Sequence, residues 1–259
     1  MSTGSVMEVE AGEELTTGWC VYGVVPAHTG RVPNDLTGID DAPLDLVVHG
    51  DIAAVVGEMQ LERPPGRRAD LMAYSKVVDA LADAGPVVPV RFGSVLPDAD
   101  SIVEAVLAPD EPLFVDLLDQ LVGRRQFIVR AAYHDEVALT EIVRSDPGVA
   151  ALRAHTRDLP EDAAYADRVR LGELVARAME AKVEVDAEIL ADAIVPFTAA
   201  HRVTLGSGAD NLVTVAVLVD DDRREEFEEQ LEGLAEAVHE RIRLQLIGPS
   251  APYDFVGEA

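Results

Sequence analysis

The chain has 259 residues, of which 48% are hydrophobic and 5% aromatic. That is enough apolar material for a core of mostly Val, Leu and Ala in one large domain or two small ones. Lys and Arg number 21 against 48 Asp and Glu, a formal charge of -27. A surface this acidic repels phosphate backbones and anionic lipid, which argues against nucleic-acid and membrane-surface partners. It suits a basic or amphipathic partner, and it is equally what the acidic proteome of a salt-adapted or high-GC organism gives.

The sequence opens on "MSTGSVMEVEAGEELTTG", acidic and without the basic and apolar regions of a secretion signal. Residues 1–17 are therefore expected to be a disordered lead-in. "WCVYGVV", Trp19 to Val25, is β-branched and aromatic and ends at Pro26, as a strand does. Cys20, the single cysteine, lies in this run as a small apolar residue. One cysteine allows no internal disulfide and no thiolate metal cluster, which suits a reducing cytoplasm.

After a Gly/Pro/Asp-rich loop, "LDLVVHGDIAAVVGEM" gives two apolar runs split at His49-Gly50-Asp51, a hairpin. Leu71, Tyr74, Val78 and Leu81 recur at helical spacing between Ala69 and Ala84, and Gly85-Pro86 stops that helix. "PVVPVRFGSV" reads as a further strand, followed by two short amphipathic helices split at Pro109, with Leu113, Leu117 and Leu121 on one face of the second.

A second unit starts with the strand Arg125 to Tyr133 and continues into helices broken at Asp146-Pro147-Gly148. The helical pattern from Glu161 to about Ala193 is long. Its Leu171, Leu174, Ala178, Ala181 and Val185 step by three and four, a coiled-coil-like seam whose alanines admit a close neighbour. Two strands joined at "GSGAD" follow, then an amphipathic helix from Asp221 to Glu240. The alternating "RIRLQLI" ends the unit with Ile242, Leu244 and Leu246 inward and Arg241, Arg243 and Gln245 outward.

The order β, α, β-hairpin, α, β is that of a ferredoxin-like unit, and the first half is a looser version of it. The fold class is α+β: two helix-backed antiparallel-sheet domains with ferredoxin-like features. The expected divisions are 18–123, 124–247 with its long helical insertion, and a short C-terminal tail over 248–259 that docks or stays mobile. No apolar stretch approaches the roughly 18 residues of a membrane span.

Signals of chemistry are sparse. None of the six histidines forms an HxH, HxxxH or HExxH pair, so no metal site is expected. There is no phosphate loop, and the G-x-G of "TLGSGAD" lies between two strands. No G-x-S-x-G elbow presents a serine. Neither a catalytic residue nor a cofactor is expected. Arg91 stands out, a cation in an apolar run beside Phe92 and Gly93. It reads as a structural pin or partner contact rather than a catalytic guanidinium, with Asp98 or Asp100 as its carboxylate.

Four stretches carry a resemblance. "WCVYGVV", "VVHGDIAAVVGEM", "GPVVPVRFGSVLPD" and the closing "LIGPSAPYDFV" resemble, in order, motifs of the gas vesicle protein F/L family, over about Trp19 to Val256. Ser250-Ala251 stands where the family tail places an aromatic, and Gln126 where it often has an acid. The resemblance implies a non-enzymatic, cytoplasmic accessory or minor structural protein of gas vesicle assembly. Its implied partners are the hydrophobic major shell protein and other gas vesicle accessory proteins.

The contact surface is expected around Arg91, Phe92 and Gly93, along the seam from Leu171 and Leu174 to Val185, and at Pro252, Tyr253 and Phe255. Ordinary core, a helix hairpin and an intramolecular tail latch are the alternatives at these three places. Two other function classes remain open: a ferredoxin-like regulatory module binding a small metabolite, and an enzyme with a cleft of convergent polar groups.

Overall fold

The computed structural model describes residues 17–28, 32–33, 35–61, 66–134, 136–157 and 159–257. The lead-in expected over 1–17 therefore lies outside them except for Thr17, the first residue of a strand. The chain divides into two compact units, Met1–Gln120 with Val256–Ala259, and Leu121–Phe255.

In the first unit, β1 (Thr17–Pro26) is followed by the hairpin β2 (Leu44–His49) and β3 (Ile52–Gln60), then by α1 (Arg68–Ala84) and the two-residue strands β4 (Val88–Pro89) and β5 (Val95–Leu96). The sheet order is β2-β3-β1-β4, all antiparallel, with β5 also pairing β1. Six consecutive residues of β3, Ile52 to Gly57, and six of β1, Cys20 to Val25, are buried. Both faces of these strands are thus covered, which is why their sequences are continuous apolar runs instead of alternations. Tyr22 is the extra residue of a bulge between Val21 and Gly23.

The strand expected over "PVVPVRFGSV" is only β4 and β5, because a turn intervenes. Ser94 N–H donates to the Arg91 carbonyl at 3.2 Å. Gly93, third in that turn, has φ +91, a conformation that Gly adopts at no steric cost. Beyond it, α2 (Ala99–Ile102), a π-helical turn (Val103–Leu107) and α3 (Ala108–Leu121) run on continuously. The break falls at Asp110 (φ -120) rather than at Pro109. Phe114, Leu118 and Leu121 form the buried face of α3, whereas Leu113 is exposed. On α1 the buried apolar set is Tyr74, Val77, Val78 and Leu81, and Leu71 faces solvent.

The second unit comprises β6 (Arg124–Tyr133), α4 (Val137–Ser145), α5 (Pro147–Arg157), α6 (Glu161–Ile194), β7 (Ala200–Gly208), β8 (Asn211–Asp220), α7 (Arg224–Val238) and β9 (Ile242–Ser250). Its antiparallel order β7-β8-β6-β9 is the 2-3-1-4 order of a ferredoxin-like unit. The first sheet repeats that order with a loop in place of the first crossover helix.

Phe127, Val129, Ala131 and Tyr133 of β6, together with Val213, Val215, Val217 and Val219 of β8, face the helices. There they meet Val183, Ala187, Leu190 and Ile194 of α6 and Phe227 and Leu231 of α7. The expected seam is not the stripe that enters this core. The C-terminal half of α6 buries a different stripe, and Val185 is 57% exposed. Leu246, expected inward, is 37% exposed. Its strand is an edge strand with a neighbour on one side only.

Candidate functional site

Arg91 is exposed, and among the described residues it has no carboxylate partner. The expected pin is therefore not an ion pair. Asp98 instead caps α2, accepting Ser101 N–H at 2.7 Å, and this hydrogen bond lowers its pKa below the usual carboxylate value.

Backbone and aromatic contacts hold the 86–95 segment. Val90 N–H donates to the Tyr22 carbonyl at 3.1 Å, and Val21 N–H to the Ser94 carbonyl at 3.0 Å. The Tyr74 hydroxyl is shared between the Val90 and Tyr22 carbonyls. Phe92 meets Tyr74 edge-on at 5.2 Å, and Tyr74 stacks on Tyr22 at 5.2 Å. Arg91→Ala is accordingly expected to change stability by less than about 0.5 kcal/mol, and Phe92→Ala to cost about 1.5 kcal/mol. Urea unfolding of both variants measures the contrast.

On α6, the residues Leu171, Leu174, Ala178, Ala181 and Val185 share one face, which Ile189 extends. Leu171, Leu174 and Ala178 are half-buried, while Ala181, Val185 (57%) and Ile189 (59%) are exposed. Leu171 also lines a groove of about 300 Å³ between α4, α5 and α6, with Leu139, Val143, Val149 and Val175 as its apolar walls.

The 251–255 stretch of the tail belongs to the second unit. Ala251 and Pro252 are buried, and Tyr253 is 45% exposed. The buried Gln126 side chain clasps Asp254 reciprocally: Nε2 donates to Oδ2 at 2.8 Å, and Oε1 accepts Asp254 N–H at 3.1 Å. A carboxylate at position 126 would face Asp254 with like charge and no donor. The Arg202 guanidinium lies 6.0 Å from the Phe255 ring centroid. Leu171, Leu174 and Val185 thus share the helical layer, and Pro252, Tyr253 and Phe255 form a separate group in the same unit.

The sequence reading missed the strongest polar cluster, although Lys182 and Asp186, four apart on α6, are a readable helical pair. Lys182 Nζ also reaches Glu141 at 2.6 Å. Arg241 binds Glu141 through Nε at 2.7 Å and through a terminal nitrogen at 3.1 Å, and it reaches Asp186 at 3.1 Å. The Tyr133 hydroxyl donates to Asp186 at 2.5 Å. Arg241 was expected to face outward with Arg243. It lies one residue before β9 starts and turns to the helices instead.

Hydrogen bonds from Arg241 hold Glu141 down at about 2, against a usual 4.5. Burial pushes Asp186 up, but hydrogen bonds from Tyr133 and Lys182 and the charges of Lys182 and Arg241 outweigh it, and the net shift is downward. Burial, then Asp186, raises Tyr133.

A depressed carboxylate stabilises the fold above its unfolded pKa and loses that contribution as pH falls through the folded one. For Glu141 the window runs from 4.5 down to about 2. Acid also relieves the repulsion of a chain carrying -27, so the readout is a difference. The gap in urea midpoint between the parent and Glu141→Gln is expected to be constant above about pH 6 and to shrink below about pH 4.5.

A family model described as "Gas vesicle synthesis protein GvpL/GvpF" matches residues 18–257. The chain belongs to the gas vesicle protein F/L family. Within that family it is similar to gas vesicle protein F of Streptomyces sp. (strain CB03234), 31% identical with 91% of this chain and 98% of the relative covered. It is 29% identical to gas vesicle protein L of the same organism, with 92% of each chain covered. The fold is that of the crystal structure of gas vesicle protein F from Anabaena sp. PCC7120, with TM-score 0.79 and 21% identity over 94% of this chain and 99% of that one. The Microcystis aeruginosa protein F structure matches with TM-score 0.72 and 19% identity over 92% and 98%. The family assignment makes this a gas vesicle protein, and among the described residues no helix is long and apolar enough to cross a membrane.

Proposed function

We propose that this chain is a cytoplasmic accessory or minor structural protein of gas vesicle assembly. It binds the hydrophobic major shell protein, together with other accessory proteins, and catalyses no reaction. One observation carries the reading beyond family membership: α6 bears two apolar stripes, and the core uses only one. The second runs from Leu171 through Leu174, Ala178, Ala181 and Val185 to Ile189, about 27 Å at the helical rise.

Ala178 and Ala181 in its middle let a partner helix approach closely. A subunit apolar enough to border a gas space aggregates when free. A chain carrying -27 charges would keep such a subunit in solution while covering its apolar face. The exposed turn at Arg91 and Gly93, the neighbouring Phe92, and Tyr253 beside Pro252 and Phe255 are further contact points in this proposal.

The test is co-purification of the major shell protein with the full chain after co-expression. The doubly substituted Val185→Asp/Ile189→Asp protein is expected to melt within about 3 °C of the parent, because both positions are solvent-facing. It should recover at most about a tenth of the shell protein, the loss that follows from placing two charges in an apolar contact. Undiminished recovery with the doubly substituted chain refutes the assignment of this face.

A further inference from the structure

The sheet of the second unit has a second face, turned away from α6 and α7, and the arginines along the sheet as a whole are unevenly matched. Arg124 and Arg125 pair with Asp220 and Asp221, Arg241 pairs with Glu141 and Asp186, and Arg202 lies over Phe255. Arg130 and Arg243 reach no carboxylate among the described residues, in a chain with 48 acidic side chains.

They belong together. Arg130 pairs in register with Gln245 and Ala132 with Arg243 across β6 and β9, while Arg130 also opposes Thr214 of β8. Cross-strand partners and residues two apart point to the same face, so both guanidinia rise from one patch as diagonal neighbours. With Thr214, Asn211 and Gln245 they line a pocket of about 400 Å³, which Asp210 also borders. Two forked cations, a hydroxyl and two amides converging on one concavity are donors for oxygen anions.

We propose that this pocket binds an anionic ligand through at least two carboxylate or phosphate oxygens, held between Arg130 and Arg243. The ligand is either a free small polyanion or the acidic segment of a partner polypeptide, and the chemistry is shared. The site lies on the opposite side of the sheet from the α6 stripe and stands independently of the shell-protein reading. Asp210 is the like charge at its border and limits affinity.

The experiment is calorimetric titration of the full chain at about 0.15 M salt, where distant repulsion is screened, with citrate in one arm and a hexaglutamate peptide in the other. One-to-one saturable binding is expected in at least one arm, and the arm that binds tells the free anion from the peptide. Arg130→Gln/Arg243→Gln is expected to weaken it at least about tenfold without changing the melting temperature, since both side chains are exposed. Asp210→Asn is expected to tighten it about threefold. Saturable binding in neither arm, an unchanged affinity in the double arginine variant, or no gain in Asp210→Asn overturns the proposal.

Discussion

Asp186→Ala is expected to destabilise the second unit by about 3 kcal/mol, the cost of removing the buried acceptor from a cluster of charges. Asp186 is 7% exposed and accepts from Tyr133, Lys182 and Arg241 at once. Removing it leaves the Tyr133 hydroxyl without its acceptor and sets Lys182 and Arg241 against each other, with Glu141 as the remaining acid. Arg241 is 41% exposed at its side chain and can recover some hydration, which keeps the loss at the lower end of the range for broken buried pairs.

The network joins α4, α6 and β6 to the start of β9, so the effect should extend beyond a local contact. Urea unfolding followed by circular dichroism measures it. Tyr133→Phe, which deletes one hydroxyl, should cost only about 1 kcal/mol. A loss under about 1 kcal/mol for Asp186→Ala would mean that water already satisfies the cluster.

Gly248→Ala is the second large effect, at about 3 kcal/mol. The residue has φ +129, a region essentially reserved for glycine. A Cβ there would stand 2.9 Å from the Gln126 carbonyl oxygen and 2.9 Å from Phe127 Cδ1. The carbonyl is main chain in β6, so relief requires opening the pairing of β6 with β9 where Gln126 faces Ser250. That pairing delivers the tail to its clasp, and the variant should lose the Gln126–Asp254 contact together with the strand end. Chymotrypsin cleavage after Tyr253 and Phe255 is expected to accelerate about tenfold in native buffer, alongside the lower urea midpoint. Parent-like cleavage and stability would show that the strand tolerates the crowding.

Much of the architecture is legible in the sequence, for reasons particular residues make clear. Gly85-Pro86, Asp146-Pro147 and His49-Gly50-Asp51 punctuate the chain where helices and strands end or turn. Between them the period of two or three to four residues is a local property. The β, α, β-hairpin, α, β order restricts the strand arrangement, and the second sheet adopts the ferredoxin-like one. The site was harder to read. The stepping of Leu171 to Val185 was visible, but two overlapping stripes run along α6, and a helix's own period does not say which one meets a sheet.

Read without a structure, the chain already reveals the type and order of its long strands and helices, the family, and the lack of histidine pairs at metal-ligand spacing, because these depend on neighbours along the chain. Folding in three dimensions is what leaves Arg91 in solvent while Phe92 is packed, turns Arg241 inward to Glu141 one hundred residues away, and lets Gln126 hold Asp254 across 128 positions. Each of these contacts joins groups from distant segments. Which charge finds which partner is set by the register of strands and the seating of helices, quantities no local pattern encodes.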